Sequence, residues 1–254
     1  MAQRDEIIAF AGELLDVDSY PDYGPMGMQV IGADEVTKIA CGVSASLELF
    51  EQAAEAGAQL VLVHHGLLWN DEPRTVDARM KGRLKALFDS DITLAAYHLA
   101  LDAHLEIGNN ARLARELGLA VDSPFGGGPF GGIGVGASYD ESLTIDEFTT
   151  RVKETLSREP LVFRYGPDNV RRVAIVSGGG GVASLLPQAA NEGYDVFLTG
   201  EPAEPTMMAA KELRTHFVAA GHYATERLGV LALAERIAQR FDLEWQFIEL
   251  LNPV

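Results

Sequence analysis

The sequence predicts an α/β fold made of two structural repeats, each a helix, a strand and three strand-helix units, layered on mixed sheets. Three observations lead there. Short apolar, largely β-branched runs alternate with stretches whose apolar residues recur at helical spacing. That order of elements occurs twice along the chain. The apolar runs also stop abruptly at polar residues, most clearly in LVLVHHGLLWN at residues 60–70, where a buried strand reaches His64 and His65.

Composition sets the bounds. With 254 residues the chain can bury a substantial core. A net charge of −17 disfavours nonspecific binding to nucleic acid or to an anionic membrane, although a bound divalent cation would still allow an anionic substrate. Cys41 is the single cysteine, which excludes an intrachain disulfide and a thiolate metal cluster. The segment MAQRDEIIAF lacks the continuous apolar core of a signal peptide, and no stretch reaches membrane-spanning length, so a cytoplasmic location is expected.

Taken in order, residues 5–15 read as an amphipathic helix, 28–32 and 38–43 as strands, and 47–56 as a helix offered a cap by Ser44 or Ser46 and ended by Gly57. The organising strand follows. Neighbouring strand residues point to opposite faces, so His64 and His65 converge on one centre only if the backbone bends, which Gly66 would permit. Residues 80–88 read as a helix and 92–96 as a strand. That strand empties into Tyr97-His98-Leu99-Ala100-Leu101-Asp102-Ala103-His104. Asn109 and Asn110 are expected to cap a helix over 111–117.

Residues 124–136, PFGGGPFGGIGVG, form the clearest break in composition and read as a linker between halves. The glycine spacing from Gly127 to Gly132 mimics a dinucleotide fingerprint, but no apolar strand leads into it and Pro129 interrupts it. Beyond it come a helix at 148–156, strands at 160–164 and 172–176, and a helix at 182–190 after Ser177 and four glycines. A strand at 194–198 ends at Thr199-Gly200-Glu201. A helix at 205–213, a strand at 216–220, a long helix at 228–241 and a strand at 243–250 complete the chain. The expected domains are 1–125 with 221–254, and 126–220.

Overlaying the halves aligns ITLAAYHLALD with HFVAAGHYATE. In both, a histidine leaves a strand and a carboxylate follows four residues later: His98 with Asp102, and His222 with Glu226. Together with His64 and His65 these residues make a mixed imidazole and carboxylate set without a soft ligand, suited to zinc, manganese, iron or nickel. Six such side chains exceed the needs of one tetrahedral zinc. Two metals sharing a carboxylate would use them. A loop at Gly178–Gly181 either turns the chain or cradles a phosphate.

The chain resembles the Nif-three-like dinuclear-metal family, also called GTP cyclohydrolase 1 type 2 homologues, in its compact bacterial branch. The resemblance rests on GMQVIG, GVSAS, VHHGLLW, YHLALDAH with GNNARLA, LTGE and AGHYATERLGV. It implies metal ligands at His64, His65, Asp102, His222 and Glu226, with Glu226 bridging two divalent ions. It also implies intertwined repeats and a ring-shaped homohexamer. His98, Glu201 and Tyr223 are then the residues expected beside substrate, with His98 or Tyr223 carrying protons. Met26-Gly27 stands where relatives commonly show Asn-Gly, Tyr223 where close relatives often carry a second histidine, and the domain inserted in longer relatives is missing. The function expected is metal-dependent hydrolysis of a nucleotide or other small phosphorylated or cyclic substrate. The alternative is a metal-binding or regulatory scaffold.

Overall fold

A computed structural model describes residues 1–127 and 132–254. These divide into two compact units, each built from two chain segments: Met1–Leu101 with Gly229–Leu251, and Asp102–Leu228 with Asn252–Val254. No helix among the described residues is long and apolar enough to cross a membrane.

The first unit begins with β1 (Ala2–Gln3), α1 (Arg4–Leu15), β2 (Gly27–Val30), β3 (Glu35–Val36), β4 (Lys38–Ser44), α2 (Leu47–Glu55), β5 (Leu60–His65), α3 (Ala78–Asp89) and β6 (Thr93–Ala96). Helix α4 (Leu99–Ala103) then carries the chain across the boundary. The second unit holds α5 (Asn109–Glu116), β7 (Ala120–Phe125), β8 (Gly134–Thr144), α6 (Ile145–Leu156), β9 (Leu161–Phe163), β10 (Asn169–Val176), α7 (Val182–Asn191), β11 (Val196–Thr199), α8 (Thr206–Leu213), β12 (His216–Ala219) and α9 (His222–Thr225). Helix α10 (Arg227–Phe241) returns the chain to the first unit, where β13 (Glu244–Phe247) ends it.

In the first unit the sheet order is β13-β4-β5-β6-β2, parallel except for β2, which runs antiparallel on β6; β1 and β3 form a separate antiparallel pair. Strand β5 is central, which is why Leu60 to Val63 can be uniformly apolar and buried. Leu49 and Phe50 of α2 and Met80 and Leu87 of α3 close the core over Val61 and Val63. The Ser46 hydroxyl caps α2 by accepting from Leu49 N–H.

The second unit's sheet runs β7-β8-β10-β11-β12-β9. Strands β10, β11 and β12 are parallel, with β8 and β9 antiparallel on either side. Phe148 and Val152 of α6 pack with Ile175, Leu198 and Val218, while Leu186 and Ala189 of α7 pack with Phe197 and Phe217. The order β4-β5-β6-β2 thus recurs as β10-β11-β12-β9, the duplication read from the sequence.

Two expectations need correction. The Gly-rich stretch is no interdomain linker: β7 pairs antiparallel with β8, Phe125 opposite Gly134, so its flanks form a hairpin inside the second unit's sheet. Gly134 and Gly136 answer to close approach. A Cβ on Gly134 would lie 2.5 Å from the Ile175 carbonyl, and one on Gly136 would lie 1.9 Å from the Tyr194 hydroxyl. Residues 128–131, and with them part of the Gly127–Gly132 spacing, lie outside the described residues. Because β7 joins the second sheet and α5 packs against it, the chain changes unit at Leu101/Asp102, and not at 125. The second correction concerns Asn109 and Asn110. Gly108 is the N-cap of α5, and both asparagines lie fully buried in its first turn.

Candidate metal centre

The first unit gathers three histidines. His64 and His65 end β5, and His98 follows β6, so all three stand at the C-terminal ends of adjacent parallel strands, where open α/β sheets bind ligands. One donor atom from each lies within 4.8 Å of the others. The rings of His64 and His65 are 4.8 Å apart centre to centre, and Trp69 meets His98 edge-on at 5.1 Å. Gly66 does not supply a left-handed bend. It is glycine because the Gln29 amide fills the space beside it, 2.3 Å from where a Cβ would stand. That amide oxygen accepts from the N–H of Leu67 at 2.7 Å and fixes the turn after the histidine pair.

What surrounds each imidazole is more telling. His64 Nδ1 lies 2.9 Å from the Tyr97 carbonyl and His98 Nδ1 2.7 Å from Asp22 Oδ1. Both partners can only accept, so Nδ1 carries the proton. His65 Nδ1 is 2.9 Å from the Ser44 hydroxyl, which can play either part. Asp22, almost fully buried, also accepts from the N–H of Leu99 through Oδ2. Burial works to raise its carboxyl, but the hydrogen bond and charge of His98 and the N–H groups of Leu99 and Tyr23 outweigh it and hold the group below its usual value. Cys41 is no hidden ligand, since burial pushes its thiol up to about 12.

The second unit gathers carboxylates and a fourth histidine. Gly221, at φ 97°, turns the chain out of β12 into α9, which puts His222 and Glu226 on one side: Nε2 lies 3.0 Å from Glu226 Oε2. His222 Nδ1 meets Glu201 Oε1 at 2.6 Å. Burial disfavours the charged ring, but Glu226 and then Glu201 more than reverse this and carry its pKa up to about 9. Asp102 is held through Oδ1, which accepts from Asn109 Nδ2 at 2.8 Å and from the Ser177 hydroxyl at 3.1 Å. Asn110 braces the same corner, donating to the carbonyls of Ile133 and Asp102 and accepting from Ser177 N–H.

Asp102 and Glu226 are 5% and 3% exposed, and present carboxylate oxygens within 4.8 Å of each other. Two like charges at that distance repel by about 3 kcal/mol at an effective dielectric of about 20. Such a pair fits a cation. Gly178 makes room for it: a Cβ there would stand 2.0 Å from Glu226 Oε1 and 3.0 Å from His222 Nε2. Every sequence-predicted residue therefore falls in one of two sets, His64, His65 and His98 in the first unit, and Asp102, Glu201, His222, Tyr223 and Glu226 in the second. Tyr223 is buried on α9, its N–H donating to the Val254 carbonyl. Asp22, Asn109, Asn110 and Ser177 have no site role in the sequence reading, and Gly178 enters it only within the loop read as a turn or a phosphate cradle; the motif GNNARLA marks where the two asparagines lie.

A family model for Duf34/NIF3 (NGG1p interacting factor 3) matches residues 2–253. The chain belongs to the DUF34/NIF3 family. A curated member from Pseudomonas aeruginosa, named GTP cyclohydrolase 1 type 2 homolog, is 42% identical over 247 residues, covering 97% of each chain. Among solved structures, protein ybgI, described as of unknown function, superposes with a TM-score of 0.94 at 38% identity over all of both chains. TTHA1606 from Thermus thermophilus gives 0.91 at 35%, again over the whole of each. A Bacillus cereus protein described as related to NIF3 shares the mixed α/β fold at 17% identity, with a TM-score of 0.81.

Proposed function

We propose that the chain is a dinuclear-metal-dependent hydrolase of the GTP cyclohydrolase 1 type 2 homolog group, acting on a nucleotide or another small phosphorylated or cyclic molecule. The observation that carries this is the tethering of four imidazoles through Nδ1: His64 by a carbonyl, His65 by a hydroxyl, His98 and His222 by carboxylates. Metal-ligating histidines show this arrangement, because the tether fixes the ring and leaves Nε2 as the donor. His64, His65, Asp102, His222 and Glu226 would be the ligands, as the family resemblance implies. The donor set fits zinc, manganese, iron or nickel. A homohexamer, as the family resemblance implies, and a cytoplasmic location, as the composition suggests, belong to the same proposal.

Divalent cations held there would supply Lewis acidity and ease deprotonation of the attacking water. The protein's own contribution is proton handling and orientation. His98, backed by ionised Asp22, is oriented to accept a proton at Nε2 and return it to the leaving group. Glu201 acts through His222, whose ring it fixes, and Tyr223 is the second proton carrier proposed.

The test is turnover of a panel of nucleotides, phosphoesters and cyclic amides by protein loaded with each of the four metals. Turnover above the metal-free control, lost in Glu226→Gln with the oligomer intact, supports the reading. Formate released from GTP would narrow it to a cyclohydrolase. No turnover on any substrate would leave the scaffold alternative.

A further inference from the structure

We propose that Arg158 binds an oxyanionic substituent of the substrate, phosphoryl or carboxylate, and thereby selects which small molecules the second unit accepts. The inference rests on the hydrolase reading and names its substrate class. Strand β9 runs antiparallel to β12 with Leu161 opposite Ala219, so the residues just before β9 run beside those just after β12. Arg158 therefore sits at the strand ends that carry His222 and Glu201. Its guanidinium lies on the backbone of Gly221, one residue from His222: a Cβ on Gly221 would be 2.8 Å from Arg158 Nε and 3.1 Å from Cζ.

Two carboxylates on neighbouring segments are engaged elsewhere. Its neighbour Glu159 pairs with Lys153 at 2.6 Å, and Glu201 holds His222. Among the described residues the Arg158 side chain makes no hydrogen bond or ion pair. A half-buried guanidinium left so, in a chain of net charge −17, is an uncommon use of positive charge. Its planar fork matches two oxygens of one oxyanion, and the acidic surroundings would reject an anion lacking such a contact.

The experiment uses the full chain stripped of metal by chelation, so that no cation competes for the probe, titrated calorimetrically with inorganic phosphate and separately with acetate. Wild type is expected to bind one of the two, phosphate marking a phosphoryl group and acetate a carboxylate. Arg158→Gln should weaken that binding about tenfold or more, and Arg158→Lys by less, since a point charge lacks the fork. The metal content of both variants should match wild type. Absence of binding by stripped wild type, or affinities in Arg158→Gln within twofold of wild type, overturns the proposal. Anion binding through Arg158 without turnover of any substrate would remove the hydrolase reading and leave the anion site. Turnover by Arg158→Gln with unchanged KM would do the reverse.

Discussion

Gly178 is constrained twice, by a φ of 64° and by the lack of space for a Cβ against Glu226. Gly178→Ala should displace that carboxylate and weaken metal affinity by about 10- to 100-fold while the protein still folds, as a metal-competition titration beside circular dichroism would report. His216 offers a separate test, away from the site. Its Nδ1 accepts from Gly166 N–H and its Nε2 donates to the Pro167 carbonyl, so the ring is neutral. Burial, followed by the charge of Arg164, pulls its pKa below 6.5 despite the Pro167 hydrogen bond and the charges of Asp195 and Asp168. The unfolded chain then takes up the proton first, so stability is full above pH 6.5 and falls as pH drops from there toward the depressed value. Urea midpoints across that window should show this slope, flattened in His216→Gln. At this scale the candidate metal-site residues are legible in the sequence and the groups that support them are not. His64, His65 and Glu226 announce themselves by residue type at strand ends. Asp22 meets His98 from 76 positions away, and nothing local distinguishes it from other loop aspartates.

Elements fared according to how strongly their patterns repeat. Strand β5 and helix α2 fall within a residue of expectation because a continuous apolar run and a serine cap each leave a local mark. Strands β7 and β8 went unread, since glycine has no side chain to alternate and the stretch mimics a linker. Helix α6 starts three residues earlier than its apolar spacing suggests, at a capping box in which the Thr144 hydroxyl accepts from Glu147 N–H and the Glu147 carboxylate accepts from Thr144 N–H. Thr144→Ala should cost about 1 kcal/mol in a denaturant titration, without changing metal content. The central position of β5 sets a larger effect. Leu62→Ala should cost about 2–5 kcal/mol, because a fully buried side chain leaves a cavity in a sheet packed on both faces.

Across the whole molecule, one strand order used twice supplies two sets of strand ends, one rich in imidazole and one in carboxylate. The duplication was visible in the aligned segments ending in His98 and His222. The unit boundary was not, since it depends on which sheet the hairpin joins. If both sets serve metal, binding is linked to folding. Free metal at about 1,000 times its dissociation constant should add about 4 kcal/mol of stability, and a chelator should lower the melting temperature correspondingly.

The tethered histidines and the buried carboxylates are proposed to hold divalent cations. Elemental analysis after loading with zinc, manganese, iron or nickel and exhaustive dialysis tests it most directly, with His64→Ala and Glu226→Gln measured in parallel. Wild type should retain two cations per chain, and both variants should lose metal. Retention below about 0.1 equivalent of every metal by folded wild-type protein would contradict it.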